Sequence, residues 1–318
     1  MDIVITGSVA YDYLMTFPGK FKDNLLPDQL EHVSLSFLVE SLIRRRGGIA
    51  PNIAYTMALL GGKPRVFATV GEDFEEYRAW LEERGVDTSY MKVIPENLTA
   101  SFFATTDTEN AQLASFYPGA MAHASEISLH DIQHKPDLVV VSPNDPAAME
   151  KYIKECRELH IPYIYDPSQQ LARVEGPVVR EGVESAKALF VNEYEFGLVQ
   201  KKAGMNLNDI TGLVDFMVIT LAEKGAKVFH KGDEVHVEAV PTDKIVDPTG
   251  AGDAFRGGFL RGYSNNWDWE TCAQMGSLTA TYCLEQEGPQ GHAYNREEYI
   301  QRFRSHFDDH GLLDSLLS

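Results

Sequence analysis

Short, continuous runs of β-branched and aliphatic residues recur along this chain, at 3–7, 65–70, 138–142, 162–166, 188–192 and 216–220. Helix-like stretches such as 52–60, 74–83, 147–159 and 176–185 lie between them. A strand that is apolar at every position has no side suited to water, so it must be covered on both faces. Parallel neighbours need a crossover connection, and a helix supplies it. The pattern therefore predicts an α/β fold of three layers with a mainly parallel central sheet. After residue 220 the rhythm changes to a hairpin, 227–230 and 235–240, around Lys231-Gly232-Asp233-Glu234. Helices then dominate at 254–263, at 270–286, and from 296 toward the end of the chain.

Two segments break this rhythm. In 11–37, the strings Asp12-Tyr13-Leu14-Met15-Thr16-Phe17 and His32-Val33-Ser34-Leu35-Ser36-Phe37 alternate polar with apolar residues. In 99–117, two β-rich arms flank Asp107-Thr108-Glu109-Asn110. Alternation with one apolar face predicts a small antiparallel sheet set apart from the main one. Such a sheet is either an edge extension or a lid over the carboxyl ends of the main strands, where open α/β sheets bind ligands. As a lid it is discontinuous, 12–46 and 98–122. The remaining α/β core, the expected binding domain, is then 1–11, 47–97 and 123–318.

Composition removes several classes of function. With 28 Lys and Arg against 47 Asp and Glu, the formal net charge is −19. A surface that acidic repels phosphate backbones, so no nucleic-acid partner is expected, and any nucleotide site must be locally positive. Met1-Asp2-Ile3-Val4-Ile5-Thr6 runs straight into a strand, without the basic start of a signal peptide. The apolar run 138–141 is far short of the roughly 20 residues a membrane span needs, so no membrane partner is expected. Cys156, Cys272 and Cys283 are odd in number and widely spaced. They read as reduced structural thiols of a cytoplasmic protein.

The strongest local signal is Asp247-Pro248-Thr249-Gly250-Ala251-Gly252-Asp253, followed by Ala254-Phe255-Arg256-Gly257-Gly258-Phe259. Glycines around an alanine let the backbone turn tightly at the start of a helix, where amides and the helix dipole make an anion hole. A carboxylate there can take a proton from a substrate hydroxyl while the amides hold a transferring phosphoryl group. A plain turn with Asp253 as helix cap is the other reading.

This string resembles the C-terminal signature of the ribokinase, or PfkB-type, carbohydrate kinase family. Gly47-Gly48-Ile49-Ala50-Pro51-Asn52-Ile53-Ala54, with Gly61 and Gly71 beyond it, is similar to the family's N-terminal signature. The two stand about 200 residues apart in the family's order. The resemblance covers the full chain and implies a ribokinase-like fold with a β lid. It also implies an ATP-dependent phosphotransferase with an alcohol acceptor. Asp253 is then the catalytic base, and Gly250, Ala251 and Gly252 form the anion hole. Asn192-Glu193-Tyr194-Glu195 resembles the family's Asn-x-x-Glu motif, in which Asn192 and Glu195 organise Mg2+, largely through water. Thr220, Gly225, Thr249, Gly250, Gly252 and Asn192 fall on the ATP side. Some relatives use a monovalent cation near the anion hole, and no ligands for one are assigned.

For the acceptor, Phe17-Pro18-Gly19 with Phe21, Leu26-Pro27, the 32–37 string, Ala114-Ser115-Phe116-Tyr117-Pro118-Gly119-Ala120-Met121 and Asp166-Pro167-Ser168-Gln169-Gln170-Leu171-Ala172-Arg173 resemble bacterial adenosine kinases of this family. The resemblance places Ser8, Asp12, Ser36, Gly48 and Asn52 at the ribose. It places Phe102, Phe116, Gln169 and Gln170 around the base, the two Phe rings sandwiching a purine. Arg173 steadies phosphate or closes the site. Adenosine phosphorylation, a purine-salvage reaction, is the expected activity. A ribokinase-like kinase of a free sugar and a catalytically silent nucleoside-binding protein are the alternatives. A partly exposed apolar lid face points to a homodimer through the lid.

Overall fold

The computed structural model describes residues 1–24 and 35–317. Among them, nine strands form one sheet: β1 (Ile3–Thr6), β4 (Arg65–Val70), β5 (Asp87–Val93), β8 (Leu138–Val141), β9 (Tyr163–Tyr165), β10 (Ala188–Asn192), β11 (Phe216–Thr220), β12 (Ala226–His230) and β13 (Asp233–Val237). Their order is β13-β12-β11-β10-β9-β8-β1-β4-β5. The pairs from β5 to β11 are parallel, and the closing hairpin β12–β13 is antiparallel. β5 is the strand the sequence did not announce. It lies at an edge and buries only Thr88 and Met91, so it carries no continuous apolar run.

Helices cover both faces, as strands apolar on both sides require. Ile3 and Ile5 of β1 pack with α2 (Ile49–Leu59), α3 (Glu75–Glu82), α8 (Ala251–Ser264) and α9 (Trp269–Leu284). Val4 points the other way, with Val139 and Val141 of β8. That face meets α4 (Pro146–Glu158), α5 (Gly176–Glu184), α6 (Glu193–Ala203) and α7 (Leu207–Leu213). α10 (Arg296–Arg304) closes a third cluster with α9 and the final turn. The three cysteines are buried and unpaired. No helix among the described residues is long and apolar enough to cross a membrane.

The second sheet is separate from the first, with the order β3 (Ser41–Gly47), β2 (Ala10–Thr16), β6 (Ala100–Thr106), β7 (Gln112–Tyr117). A short helix, α1 (Phe21–Asn24), follows β2. The sheet is mixed rather than antiparallel, since β2 and β6 run parallel. β2 continues from β1 and β6 follows β5, and these parallel strands deliver the chain to the same edge in the same direction. The expected strand at 32–37 falls partly outside the described residues. His32, Val33 and Ser34, like Leu26 and Pro27, lie outside them, and 35–37 form no strand. β3 supplies the pairing with β2. Its Arg44-Arg45-Arg46 run hid it, because three successive cations break the apolar alternation of a half-buried strand. Acidic groups hold those arginines: Glu76 pairs with Arg44 and Arg46, and Asp247 and Glu287 pair with Arg45.

Candidate active site

The start of α8 is fixed from both sides. Gly250 caps it at φ 82°, a conformation that favours glycine, and a Cβ there would sit 2.3 Å from Cβ of Pro289. The Asp247 carboxylate accepts from the N–H groups of Thr249 (2.9 Å) and Gly288 (3.0 Å), which pins the preceding loop. The N–H groups of Gly250, Gly252 and Asp253 have no partner among the described residues. The Ala251 N–H instead donates to the Pro248 carbonyl at 3.3 Å. The free amides are therefore those of Gly250, Gly252 and Asp253 rather than the expected Gly250, Ala251 and Gly252, because the Ala251 N–H is taken up within the turn.

Asp253, in the first turn, is buried. Its Oδ2 accepts from Asn52 Nδ2 at 2.9 Å. Burial pushes the carboxyl up to about 7, against the lowering influence of Arg256 and of the Asn52 hydrogen bond. Arg256, one turn later on the same helix, donates to Asp166 (2.7 Å) and to the Gly252 carbonyl (3.0 Å). Asp166 has no solvent exposure, and the pair is a buried ion bridge. Burial works against the Arg256 charge, but the Asp166 carboxylate outweighs it, so the guanidinium stays protonated.

On the opposite wall, Gly48 begins α2 at φ 97°, with Ser8 and Val9 so close that a Cβ would be 2.5 Å from the Ser8 carbonyl. Ser8 Oγ accepts the Ile49 N–H at 3.3 Å. Asp12 on β2 lies opposite Arg45 of β3 and beside Phe102 of β6. Burial raises its carboxyl to about 6, with Arg45 opposing the rise. Phe102 and Phe116 are direct cross-strand partners. Opposed residues point to the same face of a sheet, so the rings stand side by side as one wall. They are not the two sides of a sandwich.

At the carboxyl ends of β10 and β11, Asn192 and Thr220 are register partners. Asn192 caps α6 by accepting from the Glu195 N–H (2.7 Å), while Glu195 accepts from the Asn192 N–H (2.8 Å). Ser168 donates to the other Glu195 oxygen at 3.1 Å. One buried carboxylate and one amide do not enclose a metal. No group of three acidic, His or Cys side chains does so among the described residues. They do suit Mg2+, which keeps several waters and is bound mainly with its phosphates.

These walls enclose a cleft of about 420 Å³. Ser8, Asp12, Gly48, Asn52, Phe102, Phe116 and Gln169 line it with Asn192, Glu195, Thr220, Thr249, Gly250, Gly252 and Asp253. Five expected residues are not in its lining. Ser36 and Arg173 are exposed elsewhere. Gln170 turns inward, because successive residues of the 3-10 turn Ser168–Ala172 point about 120° apart, and Gln169 takes the cleft. Gly225 closes the turn after β11, its carbonyl accepting from the Leu221 N–H at 2.8 Å. Ala251 lies behind its neighbours. Sequence reasoning gave no role to Arg256, Asp166, Ser168 or Pro289. Arg256 had a signal in its three-residue spacing from Asp253, among the small and apolar Ala254, Phe255, Gly257, Gly258 and Phe259.

A buried carboxylate beside unpaired amides at a helix start suits phosphoryl transfer to a hydroxyl group. Residues 6–295 match the model of the pfkB family carbohydrate kinases, and the chain belongs to that family. The nucleoside kinase of Methanocaldococcus jannaschii is 26% identical over 306 residues, 96% of this chain and 97% of that protein. The structure of the Burkholderia thailandensis nucleoside kinase in complex with inosine has a TM-score of 0.84 and 35% identity, covering 96% of this chain and 98% of that one. The adenosine kinase of Sinorhizobium meliloti shares the fold, with a TM-score of 0.72 at 21% identity over 91% of this chain and 95% of that one.

Replacing Arg256 by Met leaves Asp166 buried without its counter-charge. The expected loss is about 3–5 kcal/mol of stability, measured by urea unfolding at pH 7.

Proposed function

We propose that the protein transfers the γ-phosphoryl group of ATP to the 5'-hydroxyl of a nucleoside, with adenosine as the acceptor. The observation that carries this reading is the shared cleft. It joins a buried carboxylate, a row of unpaired amides and an aromatic wall of a size that suits a base. The inosine bound to the Burkholderia thailandensis relative supports a purine nucleoside. Asp12 and Ser8 hold the ribose, and Phe102 and Phe116 form a platform on which one face of the base stacks. Gln169 has an amide that both donates and accepts, suited to the base edge.

In the transfer, Asp253 takes the 5'-hydroxyl proton as that oxygen bonds to the γ-phosphorus. The bond from phosphorus to the β–γ bridging oxygen breaks, and ADP leaves. The Gly250, Gly252 and Asp253 amides and the α8 dipole stabilise the charge on the transferring group. Mg2+ held through water by Asn192 and Glu195 would neutralise charge between the β- and γ-phosphates. Thr220 and Thr249 line the ATP side. The small sheet acts as a lid, and Leu42, Phe103 and Leu113, exposed on its face away from the cleft, support pairing of two lids in a homodimer.

The test is ADP release over a panel of adenosine, inosine, guanosine, cytidine and ribose. Adenosine is expected to lead; turnover of ribose alone would contradict the reading. Asp253→Asn is expected to cut turnover by about 10²–10⁴-fold with folding intact. The pH dependence has a definite sign. The base works ionised, and its pKa is raised, so kcat/KM should be flat above pH 7. It should fall about tenfold per unit below pH 7, and more steeply below pH 6, where Asp12 also protonates.

Phe102→Ala and Phe116→Ala should each weaken adenosine binding by about 1–3 kcal/mol, read by calorimetric titration. Lower melting temperatures with unchanged binding would return both rings to a packing role.

A further inference from the structure

An unbroken hydrogen-bond chain runs from α3 to Asp253, and a group that can only donate sets its direction. Trp80 Nε1 has a proton and no acceptor capacity, so the atom it meets at 3.2 Å is the oxygen of the Gln290 amide. The Gln290 NH2 group therefore faces Oδ1 of Asn52 at 2.9 Å and the Tyr77 hydroxyl. Tyr77 gives its own proton to the Gly47 carbonyl at 2.9 Å, which frees its oxygen to accept. With Oδ1 committed, Asn52 has only its NH2 group for Asp253. Asn52, Tyr77, Gln290 and Asp253 are all buried, which favours the direct hydrogen bonds over competing ones to solvent.

We propose that Gln290 is a positioning residue for the base: it fixes the Asn52 amide with its NH2 toward Asp253 and so aims the carboxylate. This rests on the reading of Asp253 as the base. Gln290 comes from the loop after α9, 37 positions beyond Asp253 and outside both glycine signatures. It lies beside Pro289, which packs against Gly250. The loop therefore braces the anion hole with one residue and orients the base with the next. The same chain ends at Gly47, the last residue of β3, so the base and the glycine pair beneath the substrate share one network.

A polarity reversal separates this role from plain packing. Gln290→Glu keeps the shape and still accepts from Trp80, but it has no proton for Asn52. The Asn52 amide then turns its NH2 toward the new carboxylate and its oxygen toward Asp253. Gln290→Met fills the same volume with neither donor nor added charge. The charged groups around Asp253 are Arg256 on its own helix, Asp166 after β9 and Glu195 on α6, with the Cys283 thiol on α9. Neither variant removes any of them, and only Gln290→Glu adds a charge, so Gln290→Met isolates the loss of the donor.

The experiment measures kcat, KM and the pH profile of kcat/KM for wild type, both variants and Asp253→Asn, with adenosine and Mg-ATP, normalised to folded protein by circular dichroism. A misaimed base costs up to about 10²-fold in rate. Gln290→Met should lose about tenfold in kcat and Gln290→Glu about 100-fold, with the adenosine KM changed less than about threefold. The acid limb should move up in both: in Gln290→Glu the Asn52 donor is turned away and a negative charge is added, and in Gln290→Met the Asn52 NH2 is no longer held on the carboxylate. Wild-type kcat and an unmoved acid limb in the folded variants overturn the proposal, and Gln290→Met alone decides it if Gln290→Glu does not fold. Asp253→Asn keeps the two readings apart. If it retains turnover, the base assignment fails. If it is inactive while the Gln290 variants behave as wild type, only the role of Gln290 fails.

Discussion

A carboxylate buried at the first turn of α8 is the arrangement on which the site depends. Burial disfavours the ionised form of Asp253, and the forces that offset it are few and directional. The Asn52 NH2 group and the positive end of the helix favour ionisation. So does Arg256, but Asp166 divides its charge. The balance leaves the carboxyl raised to about 7, near the pH at which a general base, the role proposed for Asp253, is most effective.

The small sheet is tied to that centre by charge as well as by its backbone. Arg45 on β3 reaches across to Asp247 (2.7 Å) and Glu287 (2.8 Å). Asp247 in turn organises the loop whose amides begin α8. Arg45 also stands opposite Asp12 in the sheet, where it opposes the rise that burial imposes on that carboxyl. One guanidinium thus links the Asp12 wall of the cleft to the loop that begins α8. A strand of three arginines is tolerated in a lid because each has an acidic partner.

What the sequence made legible follows from what restricts residue type. Strands apolar on both faces admit few residues, so β1, β4, β8, β10 and β11 were readable nearly to the residue. Gly48 and Gly250 were readable because their positive φ and close neighbours exclude any Cβ. The remainder depends on orientation. β5 and β3 were hidden because an edge strand and a basic strand lack the apolar run that marks the others. The parallel pairing of β2 with β6 depends on how the large sheet delivers the chain. Phe102 and Phe116 were found, but only the register shows that they stand side by side. Gln170 fell on the wrong side of a 3-10 turn. Gln290 and Asp166 act through other side chains, and no local pattern marks a residue whose partner is far along the chain.

The central claim is that the fold holds the Asp253 carboxyl near neutrality. It is tested most directly by a pH titration of the protein labelled with aspartate carrying 13C at the carboxyl carbon. The Asp253 resonance is assigned by its loss in Asp253→Asn. An inflection close to pH 7 is the expected result. An inflection near pH 4, the range of an exposed aspartate, would contradict the account.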